Sequence, residues 1–486
     1  MAMPGPAAEV ESIKAAVSKY FPVYDVKVNF DTLVFYITPD QQSLDKDFEK
    51  LRLEFKDRML IPILRYQGGE HTLSVVKMPE IKTRGLWLNT ILLVITIMTT
   101  IYAGAYLWAS YDGNNDLWLM ENYLWGAVFF ALPLMTILGT HELSHYIAAK
   151  RCGVAASLPF FIPSIPPLGT FGAFISMRDP IPDRRSLVKI GAAGPIGGLL
   201  VTIPVTLIGL WLTSMGDPTS GAVGDGGAVA VSIQPLYELL EYLIPLPENV
   251  TLHPTAFAAW VGFLVTAINL LPAGQLDGGH VARGLFGENA KYLSYATVVL
   301  LLILGMSYTG WLIFAVLIVF LGLKHPAPLN DITKLDLRVK ALGIATLLVL
   351  LVTFSPIPLV EISPNHSFSV ELPDDLNETS ISAGGSYSFT MWLNNTGNTD
   401  SDILMNVKYV PDGWSASVYV QGNETNATDF LELELLYDEG VTLVLEISVP
   451  SGENATVKYL ILDVSSLNSD NTVYKNKDVS FQVNVL

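Results

Sequence analysis

The chain has 486 residues, of which 50% are hydrophobic and only 15% charged, against about a quarter charged in an ordinary soluble domain; its mean hydropathy is +0.41. So few charges cannot cover a purely soluble surface, and the single cysteine, Cys152, excludes a disulfide framework, a four-cysteine zinc ribbon and a CxxC redox pair. The net charge of −18 is concentrated in the tail, where Glu361 to Leu486 holds 19 acidic and 4 basic residues, a balance of −15 that argues against nucleic acid as a partner.

Residues 1–84 mix polar and apolar positions without the apolar run of a signal peptide, so a cytosolic start is expected. Helical spacing over 7–20 is followed by two strands, 26–30 and 33–37, turning at Asp31-Thr32. A second round repeats the pattern, with a helix over 43–59 and strands over 61–66 and 72–76 on either side of Gln67-Gly-Gly-Glu70. This αββαββ order predicts a small two-layer α/β domain, in which no catalytic motif is found.

Seven apolar segments follow, at about 86–107, 124–149, 187–212, 255–271, 292–306, 311–323 and 342–358. They predict a polytopic α-helical membrane protein of about seven spans, since ~20 apolar residues cross the ~30 Å hydrocarbon of a lipid bilayer. Basic residues cluster before the first segment (Lys77, Lys82, Arg84), between the second and third (Lys150, Arg151, Arg178, Arg184, Arg185, Lys189) and between the sixth and seventh (Lys324, Lys334, Arg338, Lys340). The positive-inside rule therefore puts the N-terminus in the cytoplasm of a multi-pass cell-membrane protein and, after seven crossings, the C-terminus outside. Seven Asn-x-Ser/Thr triplets, at Asn249, Asn365, Asn377, Asn394, Asn423, Asn426 and Asn454, all fall on that outer side. Short β-rich runs such as 387–393 and 441–447 alternate with Gly, Asn, Pro and Asp turns, the pattern of an all-β immunoglobulin-like sandwich. The expected division is a cytosolic domain over 1–84, a membrane domain over 85–360 and an extracellular domain over 361–486.

The chemistry is carried by His141-Glu-Leu-Ser-His145 in the second apolar segment. Positions i and i+4 share a helix face, so His141 and His145 can aim both imidazoles at one Zn²⁺ while Glu142 sits beside its bound water. Ionisable groups inside a span cost on the order of 3 kcal/mol each, and three within five residues point to a joint use. Catalytic zinc takes three protein ligands and a water. The third is expected from Asn269-Leu-Leu-Pro-Ala-Gly-Gln-Leu-Asp-Gly-Gly279, where Pro272 and Gly274 interrupt the helix and Gly278 and Gly279 allow close approach to a metal. Asp277 is the expected ligand, with His280 and Glu142 as rivals; Glu142 is needed as the base. Between the motifs, 159–177 is apolar but too rich in Pro and Gly for a helix, and predicts a re-entrant hairpin with a strand over 170–177. Its edge, at Thr170, Phe171 and Gly172, would extend a substrate chain by β-augmentation. Gly191-Ala-Ala-Gly-Pro-Ile-Gly-Gly198 reads as small residues for close helix packing.

In combination the HELSH, GAAGP and NLLPAGQLDGG motifs, spread over 86–324, resemble the site-2 protease family of intramembrane zinc metalloproteases. Thr170-Phe-Gly-Ala-Phe174, Asp183-Arg-Arg-Ser186 and the stretch 277–287 are most similar to the branch that includes plant plastid proteases and prokaryotic relatives. The resemblance implies one Zn²⁺ per chain held by His141, His145 and Asp277, Glu142 as general base, and Asn269 as a residue that holds the extended substrate. It also implies cleavage of a transmembrane protein substrate by zinc-activated water, near the cytosolic face. Two features depart from the family pattern: no PDZ domain stands between the motifs, and a β-rich domain is appended. Two other classes remain distinguishable. A metal transporter needs ligands at several depths, and a non-enzymatic adaptor whose outer sandwich binds a partner would leave Glu142 dispensable.

Overall fold

The computed structural model describes residues 6–29, 32–79, 86–114, 116–216, 228–247, 250–373, 377–423, 427–468 and 470–486. They form two compact units. The first runs to Gly216 and continues over Ser232–Pro247 and Thr251–Pro358; the second contains Leu359–Leu486 with the described part of Asp217–Val231.

The first unit opens with α1 (Pro6–Ser18), β1 (Val23–Asn29), β2 (Thr32–Ile37), α2 (Leu44–Lys56), β3 (Leu60–Gln67) and β4 (Glu70–Lys77), the expected αββαββ order. Asp31 of the expected first turn lies outside the described residues. The sheet runs β1-β2-β4-β3, antiparallel throughout. Val17, Leu51 and Phe55 of the helices bury against Phe35, Leu64 and Leu73 of the strands, the period-2 and period-3.6 apolar faces meeting.

Helices follow: α3 (Leu86–Tyr111), α4 (Met120–Gly126), which passes through a π-helical turn at Ala127–Ala131 into α5 (Leu132–Arg151), α6 (Arg184–Thr213), α7 (Pro235–Glu241), α8 (Pro254–Leu270), α9 (Asp277–Phe286), α10 (Ala290–Leu304), α11 (Gly310–Leu321) and α12 (Leu337–Thr353). Among the described residues, Trp87–Tyr111, Met120–Arg151 and Arg184–Thr213 are long and apolar enough to cross a membrane. The other four expected spans coincide with α8, α10, α11 and α12, of 17, 15, 12 and 17 residues, shorter than the ~20 of a full crossing. α8 stops where Pro272 and Gly274, at φ +53°, turn the chain, and a turn over 305–309 separates α10 from α11.

Between α5 and α6, β5 (Phe160–Pro163) and β6 (Thr170–Phe174) make an antiparallel hairpin that pairs Phe160 with Phe174 and Pro163 with Thr170. It lies along α3. Asn89 Nδ2 donates to the carbonyls of Leu158 (2.9 Å) and Pro159 (3.1 Å), and Thr99 Oγ1 donates to that of Gly169 at 2.7 Å. Asn89 and Thr99 are ~15 Å apart along the helix, so the hairpin follows α3 inward to about its middle.

In the second unit β7 (Ala228–Val231) pairs antiparallel with β8 (Leu359–Ile362). The tail adds β9 (Phe368–Glu371), β10 (Glu378–Ile381), β11 (Ser386–Asn395), β12 (Ser401–Tyr409), β13 (Ser415–Val420), β14 (Phe430–Leu435), β15 (Gly440–Ser448), β16 (Thr456–Leu467) and β17 (Val473–Val485). These form a five-stranded sheet, β10-β17-β16-β12-β14, and a four-stranded sheet, β13-β15-β11-β9. Alternate residues of both, among them Phe389, Met391, Leu443, Leu462 and Phe481, share one hydrophobic core.

Candidate metal centre

The HELSH turn falls in the interior of α5, where His141, Glu142 and His145 are all buried. Asp277 is the first residue of α9, a position where the partial positive charge of a helix N-terminus favours a carboxylate. These elements bring three donor atoms together. His141 Nε2 lies 3.1 Å and His145 Nε2 3.0 Å from Asp277 Oδ2, and the two Nε2 atoms are 3.2 Å apart. A tetrahedral zinc with bonds of ~2.0–2.1 Å has ligand atoms ~3.3 Å apart, so this triangle of two imidazoles and one carboxylate fits that ion. His145 Nδ1 donates to the Ile190 carbonyl at 2.8 Å, which fixes the tautomer that leaves Nε2 as a lone-pair ligand.

Room for the imidazoles comes from α6. A side chain on Gly194 would collide with the His145 ring at Nε2, and a Cβ on Gly198 would sit 3.1 Å from His141 Nδ1. The GAAGPIGG segment is thus part of the site as well as of the packing, a role the sequence reading missed. The signal was available: Gly191, Gly194 and Gly198 are spaced i, i+3, i+7, one face of a helix. The expectation that Gly278 and Gly279 open space at the metal is corrected. A Cβ on Gly278 would overlap the Leu270 carbonyl and one on Gly279 that of Gly274, so these glycines let α9 fold back over the end of α8.

Glu142 Oε1 stands 4.0 Å from His141 Nε2, beside the donor triangle and outside it. The backbone of Ile175, just past β6, lies close to its carboxyl, so the hairpin ends at the site. Asn269, in the last turn of α8, places Nδ2 3.4 Å from His141 Nε2. His280 is not in the donor group. Its Nδ1 donates to the Leu276 carbonyl at 3.0 Å and its ring packs edge-on against His325. Among the expected substrate contacts, Phe171 is exposed, but Thr170 is buried and its hydroxyl is used within the hairpin, donating to the Ile162 carbonyl and accepting from Gly172 N–H. Gly172 takes φ +98°, a backbone conformation suited to glycine. Among the described residues β6 pairs only with β5, which leaves its other edge open.

Residues 129–306 match Peptidase family M50. The chain is 33% identical over 249 residues to the probable zinc metalloprotease EGY2, chloroplastic, of Arabidopsis thaliana, an alignment covering 50% of this chain and 44% of the relative. It is 34% identical over 247 residues to EGY1 of the same plant, covering 49% and 44%, and 28% identical over 330 residues to EGY2 of Oryza sativa subsp. indica, covering 65% and 59%. The chain spans about half the length of the curated relatives it matches. With His141, His145 and Asp277 all inside the matched residues, that segment is a domain of peptidase family M50, the site-2 protease family, homologous to the plastid EGY zinc metalloproteases.

Proposed function

We propose that the protein is an intramembrane zinc endopeptidase that hydrolyses peptide bonds within or beside the transmembrane segment of a protein substrate, at a site reached from the cytosolic face. The observation that carries this reading is the triangle of His141 Nε2, His145 Nε2 and Asp277 Oδ2 with the Glu142 carboxyl 4.0 Å from the first of them. One Zn²⁺ per chain, held by those three atoms, would act as a Lewis acid and lower the pKa of a bound water towards ~7. Glu142 would take a proton from the attacking water and return it to the leaving amine. The open edge of β6, with Phe171 and Gly172 on it, extends the substrate by strand addition, and Asn269 holds it beside the histidines. Thr170 shapes that edge from within.

In this reading 1–84 is cytoplasmic, 85–360 is the multi-pass membrane domain and 361–486 is an extracellular immunoglobulin-like sandwich. The asymmetry of basic loops supports the orientation, and the two sheets sharing one core support the sandwich. The four short helices each lie on an expected apolar segment, and irregular backbone such as 271–276 completes the passage where protein surrounds it. The decisive experiment compares the full-length protein with Glu142→Gln, measuring zinc content and cleavage of a purified model transmembrane substrate. Equal zinc with cleavage lost is expected; near-normal cleavage by the variant overturns the mechanism.

A further inference from the structure

The N-terminal α/β domain carries no catalytic motif, yet it is built into the framework that holds a metal ligand. Segment 329–331 lies between it and the membrane helices. On one side Leu64 N–H of β3 donates to the Leu329 carbonyl at 2.8 Å, and Arg65 Nη1 donates to the same oxygen at 2.8 Å. On the other, Leu329 N–H donates to the Ile181 carbonyl (2.9 Å) and Asn330 N–H to that of Pro182 (2.8 Å), in the stretch that leads into α6. Asp45 of α2 completes the junction, accepting from Asn330 Nδ2 at 3.2 Å and from Arg185 Nη2 at 2.9 Å.

From this segment Asp331 reaches α9. Its Oδ2 accepts from Arg283 Nη2 at 2.6 Å, and both side chains are almost wholly buried. Arg283 lies in the last turn of the helix whose first residue is Asp277, ~9 Å away along the axis. A helix of 10 residues moves as a rod, so a shift at one end is transmitted to the other. At the Asp277 end α9 is seated on carbonyls and on Gly191, and its first residue reaches the two histidines of the donor triangle. The hydrogen bonds that tie α9 to the surrounding framework away from the donor triangle are at the far end, where Arg184 donates to the carbonyls of Gly284 (2.9 Å) and Leu285 (2.8 Å) beside the Arg283–Asp331 pair. Among the described residues, Arg283 Nη1 and Asp331 Oδ1 have no hydrogen-bond partner. A buried charge pair left partly unsatisfied is a poor device for stability and a good one for fixing geometry.

We propose that Arg283 and Asp331 are positioning residues for the metal ligand Asp277, and that the N-terminal domain acts on the metal centre through them. This rests on the reading of His141, His145 and Asp277 as the zinc ligands. Partners outside the ligand shell that orient it are commonly worth about 10- to 100-fold in metal affinity, which sets the expected size.

The test is zinc affinity of the full-length protein in detergent, measured by competition with a chromogenic chelator. Asp331→Asn should weaken binding about tenfold or more, with Asp331→Glu recovering part of the loss. The double substitution Arg283→Met with Asp331→Leu removes the brace without stranding a buried charge, so it remains informative if the single variant does not fold, and it should weaken zinc binding similarly. Asp45→Asn, at the domain junction, should shift affinity in the same direction by less. Wild-type affinity in the folded double variant overturns the brace; wild-type affinity in Asp45→Asn alone overturns the link to the N-terminal domain. His145→Ala serves as the reference, because full zinc binding there would defeat the ligand assignment itself.

Discussion

α11 and β11 distribute their apolar residues differently. In α11 the large apolar side chains Ile313, Val316 and Phe320 point outward, 68%, 67% and 85% exposed, while Trp311, Ala315 and Ile318 are buried, so the helix is apolar on both faces. In β11 Phe389, Met391 and Leu393 are at most 3% exposed, and the strand turns its other face to solvent. α3 extends the contrast, with Asn89, Thr96, Thr100, Ala103 and Ala105 buried and Ile91, Val94 and Met98 exposed. The two-sheet unit is organised by removing apolar area from water. The helical part has its apolar side out, as a protein surrounded by lipid must, and is held by small-residue contacts and hydrogen bonds between helices. Polar side chains such as Asn89, Thr96 and Thr100 are buried there among apolar ones, and in that interior two histidines and a carboxylate can be assembled around a metal.

The largest effects are expected at the metal centre. Glu142→Gln should lower turnover about 10²- to 10⁴-fold, the usual worth of a general base, with zinc content unchanged by elemental analysis. Gly194→Ala puts a methyl group against the His145 imidazole; zinc affinity should fall about 10- to 100-fold while helix content by circular dichroism stays the same. Retained affinity would show that α6 is not the seat of that histidine.

Two matched substitutions test the contrast between the regions. Leu443→Ala, in the core of the two-sheet unit, should destabilise that unit by about 2–5 kcal/mol in thermal unfolding and leave zinc binding as it was. Val316→Lys, on the outward face of α11, should cost about 3 kcal/mol if that face meets hydrocarbon, read as lost insertion in a glycosylation-reporter assay; a neutral result would place α11 in water and break the comparison. Smallest of all, Phe320→Leu on the same face should change stability by less than about 0.5 kcal/mol.

His141, Glu142 and His145 were legible because their relation is set by one helical period inside one segment, and the αββαββ order was legible because each element carries its own apolar rhythm. Asp277 and His280 are three residues apart on one short helix, and spacing alone leaves both as candidates. Their roles were decided by the docking of α9 on α6 through Gly191 and Gly284, which turns Asp277 to the histidines and His280 to Leu276 and His325. The inward turn of Thr170, the seating of both imidazoles on Gly194 and Gly198, and the pairing of β7 with β8 were likewise invisible in one dimension. Local periodicity is written in neighbouring residues and can be read from them. Which faces of distant segments meet depends on the fit of whole surfaces, and for the triangle of His141, His145 and Asp277 those surfaces are contributed by segments more than a hundred residues apart.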